Sequence, residues 1–547
     1  MAIPKTAVKT TRKAEADRRA SDQVGTFRRP SHAPRYYVVS LGLLAALSFA
    51  AFFYVAVTHA AYPYELGYSE GIVLWQAQHV TNLDSAYAPL SHLPYIVFHY
   101  TPLYHLVSLG VSKTTGDLLH AGRLVSLIST LGICLTLAWT VYRSLVSRVS
   151  PTAAIGGAVV AFAAPCGLDA VTKFAPLMRM DMLGLWFVFA GLAVFVLATN
   201  TRSQYVAMLL FLAALYTRQT LIAGALSCLL VGAILNPRQA TKLIIFTFVL
   251  GATILTALTV ATHGQVLKHL FVYNLNRYAI RWAIGPMSMN VESTVPLLSM
   301  AIAAASGPFR DVLDSSFHKR LALLRLRISS SAYNFALFTF TVHFIMAGLT
   351  VIGVGKSGAD INYFLEWNLS ACVLAGLLLG GLLRRWQSNR VHSAFVLAYL
   401  LPWLMLLQQS LAGARLLAHR STDQKIMEQY ARGSQALENI LRDHPDPVMS
   451  EDMTLLYKAG KPVPFEPAIV AELAERGVLD ETPLVNLVRN QRFSVMVISD
   501  PHSLRYSPAM GRAILENYQP VGTYSSYTLG SSGVFSVYVP QSRSRMH

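Results

Sequence analysis

The sequence predicts an all-α polytopic membrane protein of about eleven transmembrane helices, followed by a small C-terminal α/β domain on the outer side of the membrane. Three observations predict it. Of 547 residues, 53% are hydrophobic and only 13% charged, with mean hydropathy +0.43; a soluble chain carries about 25% charge. Apolar runs close to the length that spans a bilayer recur along the chain. Basic residues gather in alternate connections between those runs, as membrane orientation requires.

The expected spans lie near 36–60, 121–143, 152–166, 182–199, 204–217, 220–235, 242–262, 293–308, 332–354, 365–383 and 393–410, which together make a membrane domain over 36–410. With the N-terminus inside, the connection after each even-numbered span is cytoplasmic. Those connections hold Arg143 and Arg148, then Arg202, then Arg238 and Lys242, then Lys319, Arg320, Arg325 and Arg327, and last Arg384, Arg385 and Arg390. The short runs 204–217 and 220–235, with Arg218 between them, read as a hairpin whose turn dips below the outer surface. Such a turn is tolerated where it lines a cavity. Residues 1–35 are polar and basic and read as a disordered cytoplasmic tail. The apolar run after Tyr36 is too long for the core of a cleaved signal peptide.

The net charge of +17 does not point to nucleic acid, because so many of the charges sit in that tail and in the connections. Cys134, Cys166, Cys228 and Cys372 fall in or beside apolar runs with no paired spacing. Neither a disulfide framework nor a thiolate metal site is expected. His99, His105 and Asp84 form no recognised metal spacing either.

Two regions remain for the outer side. Residues 61–120 form a long aromatic loop in which Glu70–Val80 and Leu103–Val111 have the composition of interfacial helices. Residues 411–547 alternate helical stretches (Gln424–Arg442, Ala468–Arg476, Leu484–Arg489) with strand-like runs (Pro447–Ser450, Phe493–Ile498, Val534–Val539). That pattern reads as a periplasmic α/β domain without a nucleotide-binding motif.

Polar groups cluster at the outer ends of the spans: Glu65, Glu70, Lys173, Arg179, Asp181, Arg218, Gln219, Asn274, Asn276, Arg277, Lys356, Asp360, Asn362 and Glu366. Ionisable residues at membrane depth are expensive and mark a functional cavity. Arg179, Arg218 and Lys356 can neutralise a phosphate, the arginines with a planar fork and the lysine as a point charge. An ionised carboxylate, Glu70 or else Glu65, can take a proton from a hydroxyl. Tyr68, Tyr100 and Tyr104 suit the apolar face of a sugar ring. A sugar carried on a phosphate-linked lipid and reached from the membrane would use all of these groups.

Local patterns then carry a family resemblance. Tyr68-Ser69-Glu70-Gly71 is followed by Tyr87-Ala88-Pro89 and Tyr100-Thr101-Pro102-Leu103-Tyr104. Arg179-Met180-Asp181 forms a second pattern. Lys356-Ser357-Gly358-Ala359 with Asn362-Tyr363-Phe364-Leu365-Glu366 forms a third. Over about residues 36–410 the chain resembles integral-membrane glycosyltransferases of the GT-C fold, the ArnT-like and protein O-mannosyltransferase-like group. The resemblance implies a polyprenyl-phosphate-linked sugar donor and inverting transfer on the periplasmic face of a bacterial inner membrane. The acceptor would be a glycan, lipid or protein of the cell envelope. It implies an acidic catalytic residue in the first outer loop, where such enzymes often carry Asp-Glu; here Ser69-Glu70 stands, with Glu65 the alternative. Tyr363, Asn362, Asp181 and Glu366 join the arginines and Lys356 as expected substrate-binding residues. No cofactor is expected, and a divalent metal is neither required nor excluded by the residue types. Membrane lipids are the other partner, and nucleic acid is none. A transporter or flippase of lipid-linked saccharides is the second reading. It fits less well, because the polar groups favour one face and the chain has no paired halves. A non-catalytic scaffold for the outer domain is the third.

Overall fold

The computed structural model describes residues 33–198, 200–274, 276–307, 317–388, 396–528 and 531–541. The basic tail expected at the start of the chain lies outside them up to residue 32, as does Arg390. The chain opens with α1 (Ala33–Ala60). The first connection holds α2 (Glu70–His79) and α3 (Leu103–Thr115), with the single turn Leu83–Ala86 between them. Then come α4 (Leu118–Leu145), α5 (Pro151–Ala163), α6 (Asp181–Leu197), α7 (Thr201–Thr217), α8 (Ala223–Leu235) and α9 (Pro237–Ala261). After these run α10 (Ile280–Ser306), α11 (Ala332–Thr350), α12 (Leu365–Gln387) and α13 (Val396–Asp443). Every expected apolar run falls on one of α1 and α4–α13. Among the described residues, six helices (α1, α4, α9, α11, α12 and α13) are long and apolar enough to cross a membrane, and α5, α6 and α8 are shorter apolar helices. The chain is a multi-pass membrane protein.

Burial separates the central helices from the peripheral ones. Within its apolar window α12 is 83% covered by the rest of the protein, whereas α9 is 6% covered. An apolar helix that the chain leaves bare, with Ile244, Phe248 and Val249 exposed, is covered by lipid. Helix α12 packs on α5, α10 and α11, and α6 packs on α4 and α7. Bilayer lipid is as apolar as leucine, so close backbone approach is a main source of helix association. Helices α5 and α12 show it. A Cβ built on Gly157 would lie 2.5 Å from the Gly376 carbonyl oxygen, and one built on Gly376 would lie 2.6 Å from that of Gly157.

Side-chain caps mark one set of helix starts. Ser150, Asn200, Asn236 and Ser331 cap α5, α7, α9 and α11. Their oxygens accept first-turn N–H groups that have no partner within the helix. Of the helices that start at the other end, α6, α8, α10 and α12 have Met180, Ile222, Ala279 and Phe364 at the cap position and no side-chain cap bond, whereas α4 is capped by Asp117.

The C-terminal part contains β1 (Met449–Ser450), α14 (Met453–Ala459), α15 (Pro467–Glu475), α16 (Thr482–Arg489), β2 (Met496–Ile498), α17 (Pro508–Asn517), β3 (Tyr518–Thr528) and β4 (Ser531–Pro540). The sheet order is β1-β2-β4-β3; β1 and β2 are parallel and the other pairs antiparallel. The sequence reading had no strand at β3 and no helix at α14 or α17. It also placed a boundary near residue 411, yet α13 runs unbroken through that point and packs on both α1 and β3. One helix therefore links the membrane bundle to the C-terminal sheet.

The first connection is tied to this C-terminal unit by backbone bonds. Tyr95 N–H donates to the Pro464 carbonyl at 2.9 Å, and Glu466 N–H donates to the Tyr95 carbonyl at 3.2 Å.

The glycine contact gives the first prediction. Gly376→Ala drives a methyl group into the Gly157 carbonyl and lowers stability by about 1–3 kcal/mol, the usual cost of overpacking. Thermal unfolding in detergent reads this as a lower Tm, and an unchanged Tm contradicts the α5–α12 contact.

Candidate active site

A cavity of about 620 Å³ lies where the C-terminal unit meets one end of the helix bundle. Its lining comes from the connections after α1, α5, α7, α9 and α11, together with C-terminal residues. Alternation along the chain puts these connections at the same end. The first connection supplies Glu65, Tyr68, Ser69, His99 and Tyr100; later ones supply Lys173, Arg179, Arg218, Gln219, Asn274, Asn276, Lys356, Asp360, Asn362 and Tyr363. The C-terminal unit supplies Asp452, Glu466, Glu472, Ser499 and Arg505.

Glu70 is not among the lining residues. It is fully buried at the start of α2 and forms a two-pronged ion pair with Arg123 of α4. Arg123 Nε donates to Oε1 at 2.9 Å, and Nη2 donates to Oε2 at 2.8 Å. Backbone N–H groups of Leu66 and Met178 each add a bond of 2.7 Å. The same guanidinium also holds the Tyr62 and Tyr64 carbonyls, the latter at 2.6 Å. Fork geometry of this kind is what arginine supplies and lysine cannot. Sequence reasoning missed Arg123, although a lone arginine inside an apolar run was the available signal.

Glu65 faces the cavity instead. It is 5% exposed, and its Oε1 has no hydrogen-bond partner in the protein. Burial pushes its carboxyl well above the usual range, and the nearby Asp452 charge pushes it further. Asp452 is itself raised by burial, which outweighs its hydrogen bonds from Glu65 and Thr454. Tyr68 is held from two sides: its hydroxyl donates to Glu466, and the Arg505 guanidinium lies 4.0 Å from its ring centre. Arg505 is in turn paired with the buried Glu451 at 2.7 Å.

The basic groups are arranged around Asp181, which is fully buried at the start of α6. It accepts from Arg179 Nε at 3.1 Å, from Arg218, and from Asn362 Nδ2 at 2.9 Å. Two guanidiniums share one carboxylate, which leaves surplus positive charge at the cavity. Arg179 also donates to Ser69, and Arg218 lies over the Tyr363 ring at 5.4 Å. Lys356 is exposed on the cavity rim, and its Nζ has no hydrogen-bond or ion-pair partner among the described residues. Lys173 is neutralised by Asp360 at 2.7 Å.

Other expected residues sit elsewhere. Tyr104 is fully buried, its hydroxyl donating to the Gly122 carbonyl at 2.8 Å, so it joins α3 to α4 rather than lining the cavity. Glu366 is buried against His343 at 2.9 Å between α12 and α11. Arg277 is taken up by Glu472 and Glu475 of α15. Asn274 lines the cavity and donates to the His99 carbonyl at 3.2 Å. His99 lines it too, and burial lowers its pKa to about 4, so the ring is neutral near pH 7. His105 is buried on Gln76 at 3.0 Å. Among the described residues, no three His, Cys, Asp or Glu side chains converge as a metal site. The C-terminal residues Asp452, Glu466 and Arg505 were not anticipated. Glu466 does stand just before an expected helix, but nothing in the spacing shows where that helix docks, and the helix that Asp452 caps was not expected.

The molecule has an ArnT-like GT-C fold: a helix bundle whose alternate connections form a cavity beneath a small C-terminal sheet. Comparison with solved structures finds two crystal structures of ArnT from Cupriavidus metallidurans. The apo form has TM-score 0.54 at 12% identity, over 93% of this chain and 98% of that one. The form bound to undecaprenyl phosphate has TM-score 0.54 at 12% identity, over 91% and 98%. No family model matches the sequence, and no curated protein sequence matches it.

Two outcomes separate the glutamates. Glu70→Gln leaves the Arg123 charge buried without its counter-ion and destabilises the protein by about 3–5 kcal/mol, read as a lower Tm and poor recovery from membranes. Glu65 binds its proton more tightly in the folded than in the unfolded chain. Wild-type stability therefore falls as pH rises above the ordinary glutamate value, through the window up to its folded value. Glu65→Gln flattens that fall, as thermal unfolding across pH will read; a fall of the same size in the variant contradicts the assignment.

Proposed function

We propose that the protein is a membrane glycosyltransferase. In this reading it takes a sugar from a polyprenyl-phosphate-linked donor and transfers it to a cell-envelope acceptor on the periplasmic face of a bacterial inner membrane. One observation carries the reading. The same cavity holds surplus guanidinium charge and several buried acceptor atoms that lack a protein donor: Glu65 Oε1, Gln219 Oε1 and Asn362 Oδ1. An unpaired buried acceptor costs about 1–3 kcal/mol, and a ligand rich in hydroxyls removes that cost. An anion balances the guanidiniums. A sugar phosphate has both features, and a lipid tail would account for a site at the end of a membrane bundle. The likeness in fold to a protein crystallised with undecaprenyl phosphate supports the same donor class.

The residues then take the following roles. Arg179, Arg218 and Lys356 bind the donor phosphate, and Asp181 with Asn362 fixes the two arginines. Tyr100 and Tyr363 border the sugar, with Gln219 and Asn362 accepting from its hydroxyls. Glu65, not Glu70, is the reacting carboxylate, because it is the one with an open oxygen at the cavity. The acceptor hydroxyl oxygen attacks the anomeric carbon while its proton passes to Glu65. The bond from that carbon to the phosphate oxygen breaks, and the electron pair leaves with the polyprenyl phosphate. Positive charge placed where that phosphate gains charge lowers the barrier. Attack from the face opposite the phosphate inverts the anomeric carbon.

Proteoliposomes containing the full chain and the polyprenyl-phosphate-sugar fraction of bacterial membranes test the reading. Covalent transfer to an envelope glycan is expected; movement of the lipid-linked sugar across the bilayer without product supports the transporter reading instead. Lys356→Met offers a clean variant, because its ammonium group has no other partner to lose among the described residues. Transfer is expected to fall about 10–100-fold, the worth of a charge-assisted contact, with Tm unchanged. Full activity in that variant removes Lys356 from the phosphate site.

A further inference from the structure

We propose that His99, Gln219 and Asn274 form a subsite of hydrogen-bond acceptors that reads the donor sugar, and that it selects a neutral sugar with free hydroxyls over an amino sugar or a sugar acid. The inference rests on the reading of the cavity as the site of a glycosyltransferase and names the class of sugar it takes.

The three residues come from three connections, His99 between α2 and α3, Gln219 between α7 and α8, and Asn274 between α9 and α10. All three line the cavity, and they meet at one atom. The His99 carbonyl oxygen accepts from Gln219 Nε2 at 2.8 Å and from Asn274 Nδ2 at 3.2 Å. A carbonyl can only accept, so each amide turns its nitrogen to His99 and leaves its oxygen for another partner. Gln219 Oε1 is buried and has none among the described residues. Asn274 Oδ1 has no hydrogen-bond partner among them either.

The His99 ring follows the same rule. Its Nδ1 lies 3.2 Å from the Val97 carbonyl, which requires the proton on that nitrogen. Burial lowers the ring's pKa to about 4, so near pH 7 the ring is neutral and Nε2 carries a bare lone pair. Nε2 has no hydrogen-bond partner among the described residues. The Tyr100 ring, with its centre 4.2 Å from that of His99, adds an apolar face beside these acceptors.

Acceptor atoms without a protein donor call for donors on the ligand. A sugar can offer hydroxyls or an ammonium group. An ammonium here would stand near Arg179, whose charge acts on the His99 ring. Among the described residues no carboxylate is bonded to His99, Gln219 or Asn274, and Asp360 and Glu472 of the cavity lining are already taken up by Lys173 and Arg277. Burying a cation beside like charge is costly. A sugar carboxylate would set lone pairs against lone pairs. Hydroxyls donate without charge and meet neither cost. A site of fixed polar atoms also rejects an analogue that lacks the matching hydroxyl, because its own atoms are then left unpaired.

Proteoliposomes containing the full chain and the extracted polyprenyl-phosphate-sugar fraction supply the test. Mass spectrometry of the glycan product is expected to show a neutral sugar added. That donor and its synthetic singly deoxygenated analogues are then compared in wild type and in His99→Asn, whose shorter amide can keep the bond to Val97 but places no atom at the Nε2 position. Wild type is expected to discriminate against at least one deoxy analogue by about 10–100-fold in kcat/KM, the worth of a buried acceptor left unpaired. His99→Asn is expected to lose that discrimination at one hydroxyl, and His99→Gln, which returns an oxygen near the Nε2 position, to recover part of it. A merely structural role for His99 would depress all donors alike and leave the discrimination in place. Transfer of an amino sugar or a sugar acid by wild type overturns the proposal, as does unchanged discrimination in His99→Asn, and in both cases the glycosyltransferase reading stands. Absence of covalent transfer by wild type overturns that reading and this inference with it.

Discussion

The arrangement of the site depends on one buried ion pair, Arg123 with Glu70. Arg123 sits inside an apolar helix, fully covered, and its guanidinium binds the Tyr62 and Tyr64 carbonyls as well as both Glu70 oxygens. The chain leaving α1 is thereby folded back onto α4 within a few residues. Everything on that short segment inherits its position. Glu65 is turned to the cavity, Tyr68 reaches Glu466, and Gly71 allows α14 to come close. A buried pair is weak evidence for stability, since its desolvation offsets its attraction. Its use here is to fix register: charge, fork geometry and five carbonyl or carboxylate oxygens, including that of Ala60, are satisfied together only in one loop path.

A common pattern explains which expected residues moved out of the cavity. Glu70, Asp181 and Glu366 all stand in the first turn of a helix, at α2, α6 and α12. None of these helices has a side-chain cap bond, and each acid is buried against a cation or a histidine. A carboxylate in that position is stabilised by the helix N-terminus. From sequence alone such a residue resembles a catalytic one: it is acidic, sits at the end of an apolar run and faces the expected side. Glu65 lacks a helix to stabilise it, and that makes its burial at a cavity informative.

Periodicity and charge made the helices and their alternation legible, and the odd connections do gather at one cavity. Arg179, Arg218, Lys356, Asn362 and Tyr363 were legible for the same reason, as polar groups at the ends of apolar runs. Strand β3 was not, because Tyr518–Thr528 mixes polar and aromatic residues and contains Pro520 and Gly522 at a register shift against β4. Nor could the sequence show that Asp452, Glu466 and Arg505 meet the first loop. Their contacts join opposite ends of the chain, and only the docking of α14 and α15 brings them there. Tyr104 was misplaced because an interfacial tyrosine and a tyrosine donating inside a helix pair have the same local sequence.

The cavity thus combines two chemistries that a single membrane helix cannot supply. Surplus guanidinium charge comes from the helix ends, and carboxyls with raised proton affinity come from the loop and the C-terminal unit. Arg179 and Arg218 stand on different elements from the Glu65 carboxyl. The most direct measurement is mass spectrometry of lipid-linked sugars and envelope glycans in cells lacking the protein. The account predicts that one polyprenyl-phosphate sugar accumulates and one glycan loses a sugar, with both restored by the wild-type chain but not by Glu65→Gln. An unchanged lipid-linked pool together with complete envelope glycans would contradict it.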